Sequence, residues 1–262
     1  MFQQSMPIID PCLVATILKD VAAEIILPRF NRLATGDVRE KKPGDLVTIA
    51  DTEAEAALTD RLSALIIGSR VVGEEAVSAD AGTLAHLQQD GPVWIIDPID
   101  GTSNFVKGRK TFAVIVALVM QGRTVQGWIL DPLSGTTTLA EQGAGTWRDG
   151  LRLRVAPSGP LASLCGSTYR RGKQLEKAVN RLICLGSAAH EYLSLVGNQI
   201  QFAHFHRLHP WDHAAGVLLH SEAGGFNALL NGETYRPVPS KEGILLAPDR
   251  DTWEQLRPLV DG

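Results

Sequence analysis

The feature that most constrains this chain is the stretch VWIIDPIDGTSNF, Val93 to Phe105. Its first four residues form an unbroken apolar run of the kind that fills a buried strand. The run ends in two aspartates, Asp97 and Asp100, separated only by Pro98 and Ile99. A buried carboxylate without a partner is costly, and two close together repel. A metal ion would answer both costs at once, so the rest of the chain can be searched for its other ligands.

Further acids stand at the ends of apolar segments: Asp51, the pair Glu74 and Glu75, and Asp212. The segments VGEEAV, IIDPIDGT and HPWDHAAG offer few basic neighbours. Oxygen ligands without a matching set of histidines suit a hard cation such as magnesium, which commonly meets a substrate phosphate. The DGT step supplies the anion side. Gly101 permits a sharp turn after Asp100. If TSNF then begins a helical turn, the amides of Gly101 and Thr102 point outward as a phosphate cradle. The hydroxyl of Thr102 can hold a water beside it.

The chain has 262 residues, 44% of them hydrophobic and 21% charged, enough for a large core. The net charge of -4 argues against a nucleic-acid partner, although YRRGK, Tyr169 to Lys173, can hold a small anion. Cys12, Cys165 and Cys184 are odd in number and far apart, so a reducing cytoplasm is expected. The start of the sequence reads as no signal peptide. The longest strong apolar run, Phe112 to Met120, is too short to span a bilayer.

Asp10 followed by Pro11 opens a helix that Pro28 should end. A second helix follows, with Thr52 and Glu55 as its expected capping box. RVVGEE and VWIIDPID read as strands with acidic ends. Two strands joined by a turn at Gln121 to Arg123 come next, then short strands with a hairpin signal at RDG. A boundary falls at the Pro/Gly/Ser-rich segment Ala156 to Ser163. It divides the chain into 1–156, an α+β half carrying the metal and phosphate motifs, and 157–262, an α/β half that completes the site.

GEE, DPIDGTSNF and WDHAAG, preceded by GDLVTIAD and followed by SEAGG, resemble the inositol monophosphatase family of magnesium-dependent, lithium-sensitive phosphatases. The resemblance runs from about Ala22 to Trp253, in the family's order and spacing. It implies an α/β (α+β) fold, the layered αβαβα sandwich of sugar phosphatases. An antiparallel N-terminal sheet and a smaller mixed C-terminal sheet would flank the site. It implies metal ligation by Glu74, Asp97, the carbonyl of Ile99, Asp100 and Asp212, with two or three Mg2+ ions. Glu74 and Thr102 would activate the nucleophilic water, with Asp51 near a third ion. Gly101 and Thr102 would bind phosphate, and Glu75 would support its neighbours. The implied reaction is direct in-line attack on a small phosphorylated metabolite, without a phosphoenzyme, in a homodimer.

Each motif alone has a plainer explanation: GEE as a solvated turn, WDHAAG as a helix start with Asp212 in its first turn. A haloacid-dehalogenase-like phosphatase needs DxDGT, whereas these aspartates are three apart and cannot share one face of a regular strand. His204, His206, His209, His213 and His220 make a zinc site conceivable, but histidines near the pocket are the preferred reading.

The resemblance also implies Ser167, Ala188 and Asp212 as the walls of the leaving-group pocket. In inositol-specific members a glutamate precedes the WD motif by several residues. Here Phe205 stands near that position, and no acid lies between Gln201 and Trp211. His206 and Arg207 can favour a more anionic substrate. Fructose 1,6-bisphosphate, histidinol phosphate and adenosine 3',5'-bisphosphate stand as alternatives to inositol 1-phosphate. A regulatory protein-binding role on the same fold is a further alternative.

Overall fold

The computed structural model of the chain describes residues 9–169 and 172–260. Helix α1 (Pro11–Val21) starts where Asp10 accepts the Cys12 amide at 2.9 Å. Pro28 does not stop it at once. The chain passes through a widened turn (Ala22–Ile26) and a tight one (Leu27–Arg29) before Phe30 turns extended. Such a wide turn is one way a helix accommodates a proline ring and its missing donor. A hairpin, β1 (Val38–Lys42) and β2 (Asp45–Thr48), leads into α2 (Ile49–Ser63). The capping box of α2 differs from the expected one: Thr48 caps the Ala50 amide, and Asp51 reaches back to the Thr48 amide at 2.8 Å.

The displaced Glu55 has another task. Its carboxylate accepts the amides of Glu75 and Ala76, each at 2.8 Å, at the start of α3 (Glu74–Ala79). Only a glycine fits at Gly73, because a Cβ there would lie 2.3 Å from that carboxylate. Strand β3 (Arg70–Gly73) thus ends against α2.

After β4 (Val93–Asp100) and the short α4 (Thr102–Val106), the chain forms a meander. Its strands are β5 (Ala113–Met120), β6 (Arg123–Asp131), β7 (Thr136–Glu141), β8 (Gly145–Arg148) and β9 (Leu151–Leu153). These complete a seven-stranded sheet in the order β3-β4-β5-β6-β7-β8-β9. It is antiparallel as expected except at its first pair, where β3 and β4 run parallel. The β8–β9 turn is the expected RDG hairpin, with positive φ at both Asp149 and Gly150.

The second half contains β10 (Cys165–Thr168), α5 (Lys173–Ala178), β11 (Arg181–Ile183), α6 (Ala188–Val196) and β12 (Phe202–Phe205). It continues with α7 (Pro210–Glu222), β13 (Phe226–Leu229), β14 (Ile244–Ala247) and α8 (Arg250–Val260). Its strands form a mixed five-stranded sheet in the order β11-β10-β12-β14-β13. The segment proposed as a boundary lies between β9 and β10. Arg170 and Arg171 of the YRRGK cluster lie outside the described residues.

Strand alternation stacks five layers. Trp94, Ile96, Val114, Val116 and Trp128 face α1 and α2, meeting Val14, Leu18, Leu58 and Leu62. Ile95, Ile115, Ala117 and Ile129 face the opposite way, toward Ala189 and Tyr192 of α6 and Ala215 and Leu219 of α7. That same helix layer packs on Ala203, Ile244 and Leu246 of the second sheet. Phe202, Leu245 and Ala247 cover its far side against Leu175 of α5 and Trp253 and Leu256 of α8. The result is the expected αβαβα sandwich. Among the described residues, no helix is long and apolar enough to cross a membrane.

Candidate active site

The parallel β3–β4 pair sets Gly73 beside Ile96, so Glu74 and Asp97 emerge at the same sheet edge. Asp97 and Asp100 are three apart, which in a regular strand sends them to opposite faces. The β4–β5 register resolves this: Asp97 pairs with Ile115 but Asp100 with Ala113, so β4 carries one extra residue. This bulge re-aims Asp100. Asp97, Asp100 and Asp212, from the first turn of α7, each present a carboxylate oxygen, and these atoms lie within 4.8 Å of one another.

Asp97 and Asp100 are buried. Burial, then the charge of Glu74 and of the neighbouring aspartates, pushes Asp97 and Asp212 well above the usual carboxylate range. Burial raises Asp100 to about 6, opposed by donors from Ser187, Ala189 and Ala188. Asp97 also accepts the Ile99 amide at 3.0 Å. A mutually repelling all-oxygen set is the donor chemistry of a hard divalent cation.

Beside this cluster stands a second unit. The Thr102 hydroxyl lies 3.1 Å from Asp51 Oδ1 and 3.0 Å from the Ile99 carbonyl, pointing its one proton between two acceptors. The other Asp51 oxygen accepts the Thr48 amide at 2.8 Å and the Thr48 hydroxyl at 2.5 Å. Burial nonetheless raises Asp51 to about 7. Gly101 takes up φ +86°, and its carbonyl accepts the amides of Asn104 and Phe105. The expected turn after Asp100 and the helical start at TSNF are both present.

Glu74 does not stand among uncompensated acids. Lys41 Nζ lies 2.8 Å from Glu74 and 3.0 Å from Glu75, with Asp45 at 3.6 Å. Lys41 comes from the β1–β2 hairpin, at its bulge between Glu40 and Lys42. The expectation that the acidic segments lack basic neighbours holds for their own sequence but not for their surroundings. Glu75 bonds Lys41 through its carboxylate and donates its amide to Glu55.

Ala188 opens α6 next to Asp100, its amide donating to Asp100 Oδ1 at 3.0 Å. Ser167 is fully buried, its hydroxyl 3.3 Å from the Ile183 carbonyl and bonded to Glu191. His206 is partly buried, edge-on to Tyr169 at 6.3 Å, and Arg207 is exposed. Phe205 is buried, stacked on Tyr192 at 5.2 Å and tilted on His213 at 4.8 Å.

His213 is wholly engaged within the fold, between the Tyr192 hydroxyl at 3.0 Å and the Arg207 carbonyl at 2.9 Å. Among the described residues, the three aspartates are the group with metal-holding spacing, and no histidine belongs to it. Sequence reasoning missed Lys41, Asn104, Ser187 and Glu191, and gave Glu55 a capping role in place of its hold on the start of α3. Asn104 ties the Gly101 turn to the carbonyls of Thr111, Leu185 and Gly186 at 2.8–3.0 Å. Only Asn104, inside the TSNF motif, was signalled locally. The others act across long sequence separations.

The model of the inositol monophosphatase family matches residues 11–261. The chain is 34% identical over 203 residues to a fructose-1,6-bisphosphatase/inositol-1-monophosphatase of Thermotoga maritima, covering 74% of this chain and 76% of that one. It is 33% identical over 208 residues to the inositol-1-monophosphatase of Bacillus subtilis, covering 75% and 77%. A solved Thermotoga maritima IMPase superposes with a TM-score of 0.81 at 28% identity, covering 94% of each chain.

Proposed function

The chain belongs to the inositol monophosphatase family, and from that premise we propose that it is a Mg2+-dependent phosphomonoesterase acting on a small phosphorylated metabolite. The observation that carries this reading is the Asp97–Asp100–Asp212 cluster, with carboxylate oxygens within 4.8 Å, standing at the strand end that leads into Thr102. The residues fit a hard cation: Asp97, Asp100, Asp212, Glu74 and the Ile99 carbonyl would hold it. Bound Mg2+ supplies positive charge that neutralises the phosphate and favours attack on phosphorus.

The chain's own groups do the rest. Thr102 gives its hydroxyl proton toward Asp51 and Ile99, so its oxygen is left to accept a proton from a water. Asp51, hydrogen-bonded to the Thr102 hydroxyl, is placed to receive that proton through Thr102. Glu74 is the second group to orient the water. The amides of Gly101 and Thr102 receive the phosphate. Asp212 and Ala188 border the leaving group, with His206 and Arg207 further out; Ser167, expected as a third wall, is fully buried and engaged with Ile183 and Glu191 instead.

Inositol 1-phosphate is the reference substrate. One observation favours a second reading: Phe205, packed between Tyr192 and His213, brings no carboxylate to meet polyol hydroxyls. This argues against inositol specificity and leaves fructose 1,6-bisphosphate, histidinol phosphate and adenosine 3',5'-bisphosphate as the alternatives. Lithium sensitivity, a cytoplasmic location and a homodimer belong to the same reading. So does the 156/157 division into two halves.

The test is phosphate release from these four compounds with Mg2+. Activity should vanish with excess chelator and in Asp97→Asn or Asp100→Asn variants that stay folded. Full activity under either condition would overturn the reading.

A further inference from the structure

Three donors hold Asp100 against the start of α6. Ala188 and Ala189 give their amides, each at 3.0 Å, and Ser187 gives its hydroxyl. Ser187 is also the N-cap of α6, accepting the His190 amide at 3.2 Å. That bond alone suffices for capping. Yet the His190 ring also turns to the same oxygen, with Nδ1 at 3.0 Å.

Proton accounting gives this extra contact a direction. A serine hydroxyl has one proton and two lone pairs. With the proton committed to ionised Asp100, the oxygen can only accept. The contact with Nδ1 is then favourable only if Nδ1 carries the imidazole proton. A bare Nδ1 would draw the hydroxyl proton away from Asp100. The histidine therefore decides which way Ser187 points.

We propose that His190 is a positioning residue: through Ser187 it fixes the orientation of the Asp100 carboxylate and so strengthens divalent-cation binding by the aspartate cluster. This rests on the reading of that cluster as a metal site. Partners one bond removed from a ligand commonly change metal affinity by 10–100-fold.

The experiment is a Mn2+ titration of the purified chain followed by the EPR signal of the free ion, with thermal midpoints of the metal-free proteins alongside. His190→Leu should weaken Mn2+ binding by about tenfold. His190→Asn, whose amide nitrogen falls near the place of Nδ1, should keep near wild-type affinity. His190→Gln, whose nitrogen falls near Nε2, should not; this pair carries the test if the leucine variant fails to fold. Ser187→Ala should weaken binding too, and Ser187→Ala with His190→Leu should be no weaker than Ser187→Ala alone.

Unchanged affinity in His190→Leu, equal losses in the asparagine and glutamine variants, or additive losses in the double variant would each overturn the inference. A wild-type chain that binds no Mn2+ would overturn the metal-site reading, and this inference with it.

Discussion

Asp51 and Thr102, half a hundred residues apart, share one hydrogen bond of 3.1 Å, and Thr102 divides the same proton with the Ile99 carbonyl. A hydroxyl so committed becomes an acceptor toward whatever lies before it. Thr102→Val keeps the shape and removes the relay. It should lower kcat by about a hundredfold, with little change in KM. Thr102→Ser should retain most of the activity. Steady-state phosphate release decides this, and a fully active valine variant would remove Thr102 from the proton path.

The buried acids give the metal-free protein an unusual pH response. Burial raises Asp51, Glu55 and Glu191 to about 7 each, and lifts Asp97 and Asp212 as well. Between the ordinary carboxylate range and pH 7 the native state therefore holds protons that the unfolded chain has lost. Stability then falls as pH rises through that window, and the thermal midpoint should climb as pH is lowered from 8 to 6. Mg2+ should flatten the climb, because a cation displaces protons from the aspartates. Differential scanning fluorimetry across this range, with and without Mg2+, measures it. A midpoint that falls on this acidification in chelator would contradict the assignment.

The layers and the site were legible in the sequence to different depths. The apolar periods of α1 and α2, the run of β4 and the β5–β6 turn at Gln121 are local signals, and they correspond to the elements found. The acids at strand ends were legible for the same reason. The bulge that brings Asp97 and Asp100 to one side was not. It is set by pairing with β5, and the sequence spacing alone argues against a shared face. Lys41 was also hidden, since its contact with Glu74 depends on the hairpin folding over α3. The α2 cap lies at Thr48 rather than Thr52, with Asp51 closing the box, and Glu55 holds α3 instead. Competing uses of one side chain cannot be ranked from propensity alone.

His220 is an internal cost. It is fully buried in the last turn of α7, and neither ring nitrogen has a hydrogen-bond partner among the described residues. Burial lowers its pKa to about 3. The unfolded chain takes up this proton first, so the protein is progressively destabilised as pH falls from about 6.5 toward 3. His220→Leu, of similar volume, should stabilise the protein by about 1–2 kcal/mol at pH 7 and make it more resistant to acid. Urea denaturation at pH 7 and pH 5 reads both effects. Destabilisation at both values would show that the imidazole makes a necessary contact.

Lys41 stands where it neutralises the acids that a cation would otherwise meet. Its ammonium group bonds Glu74 and Glu75 at 2.8 and 3.0 Å, and its side chain is only 11% exposed. In Lys41→Met the two glutamates lose this partner and face the aspartate cluster uncompensated. The metal-free protein should lose about 1–3 kcal/mol, lowering its thermal midpoint by several degrees. Mg2+ should then restore more in the variant than it adds to the wild type, because it relieves repulsion that Lys41 no longer screens and meets Glu74 without a competitor. Thermal midpoints over a Mg2+ titration compare the two chains directly. Equal increments in both would show that Lys41 and the cation act on separate groups.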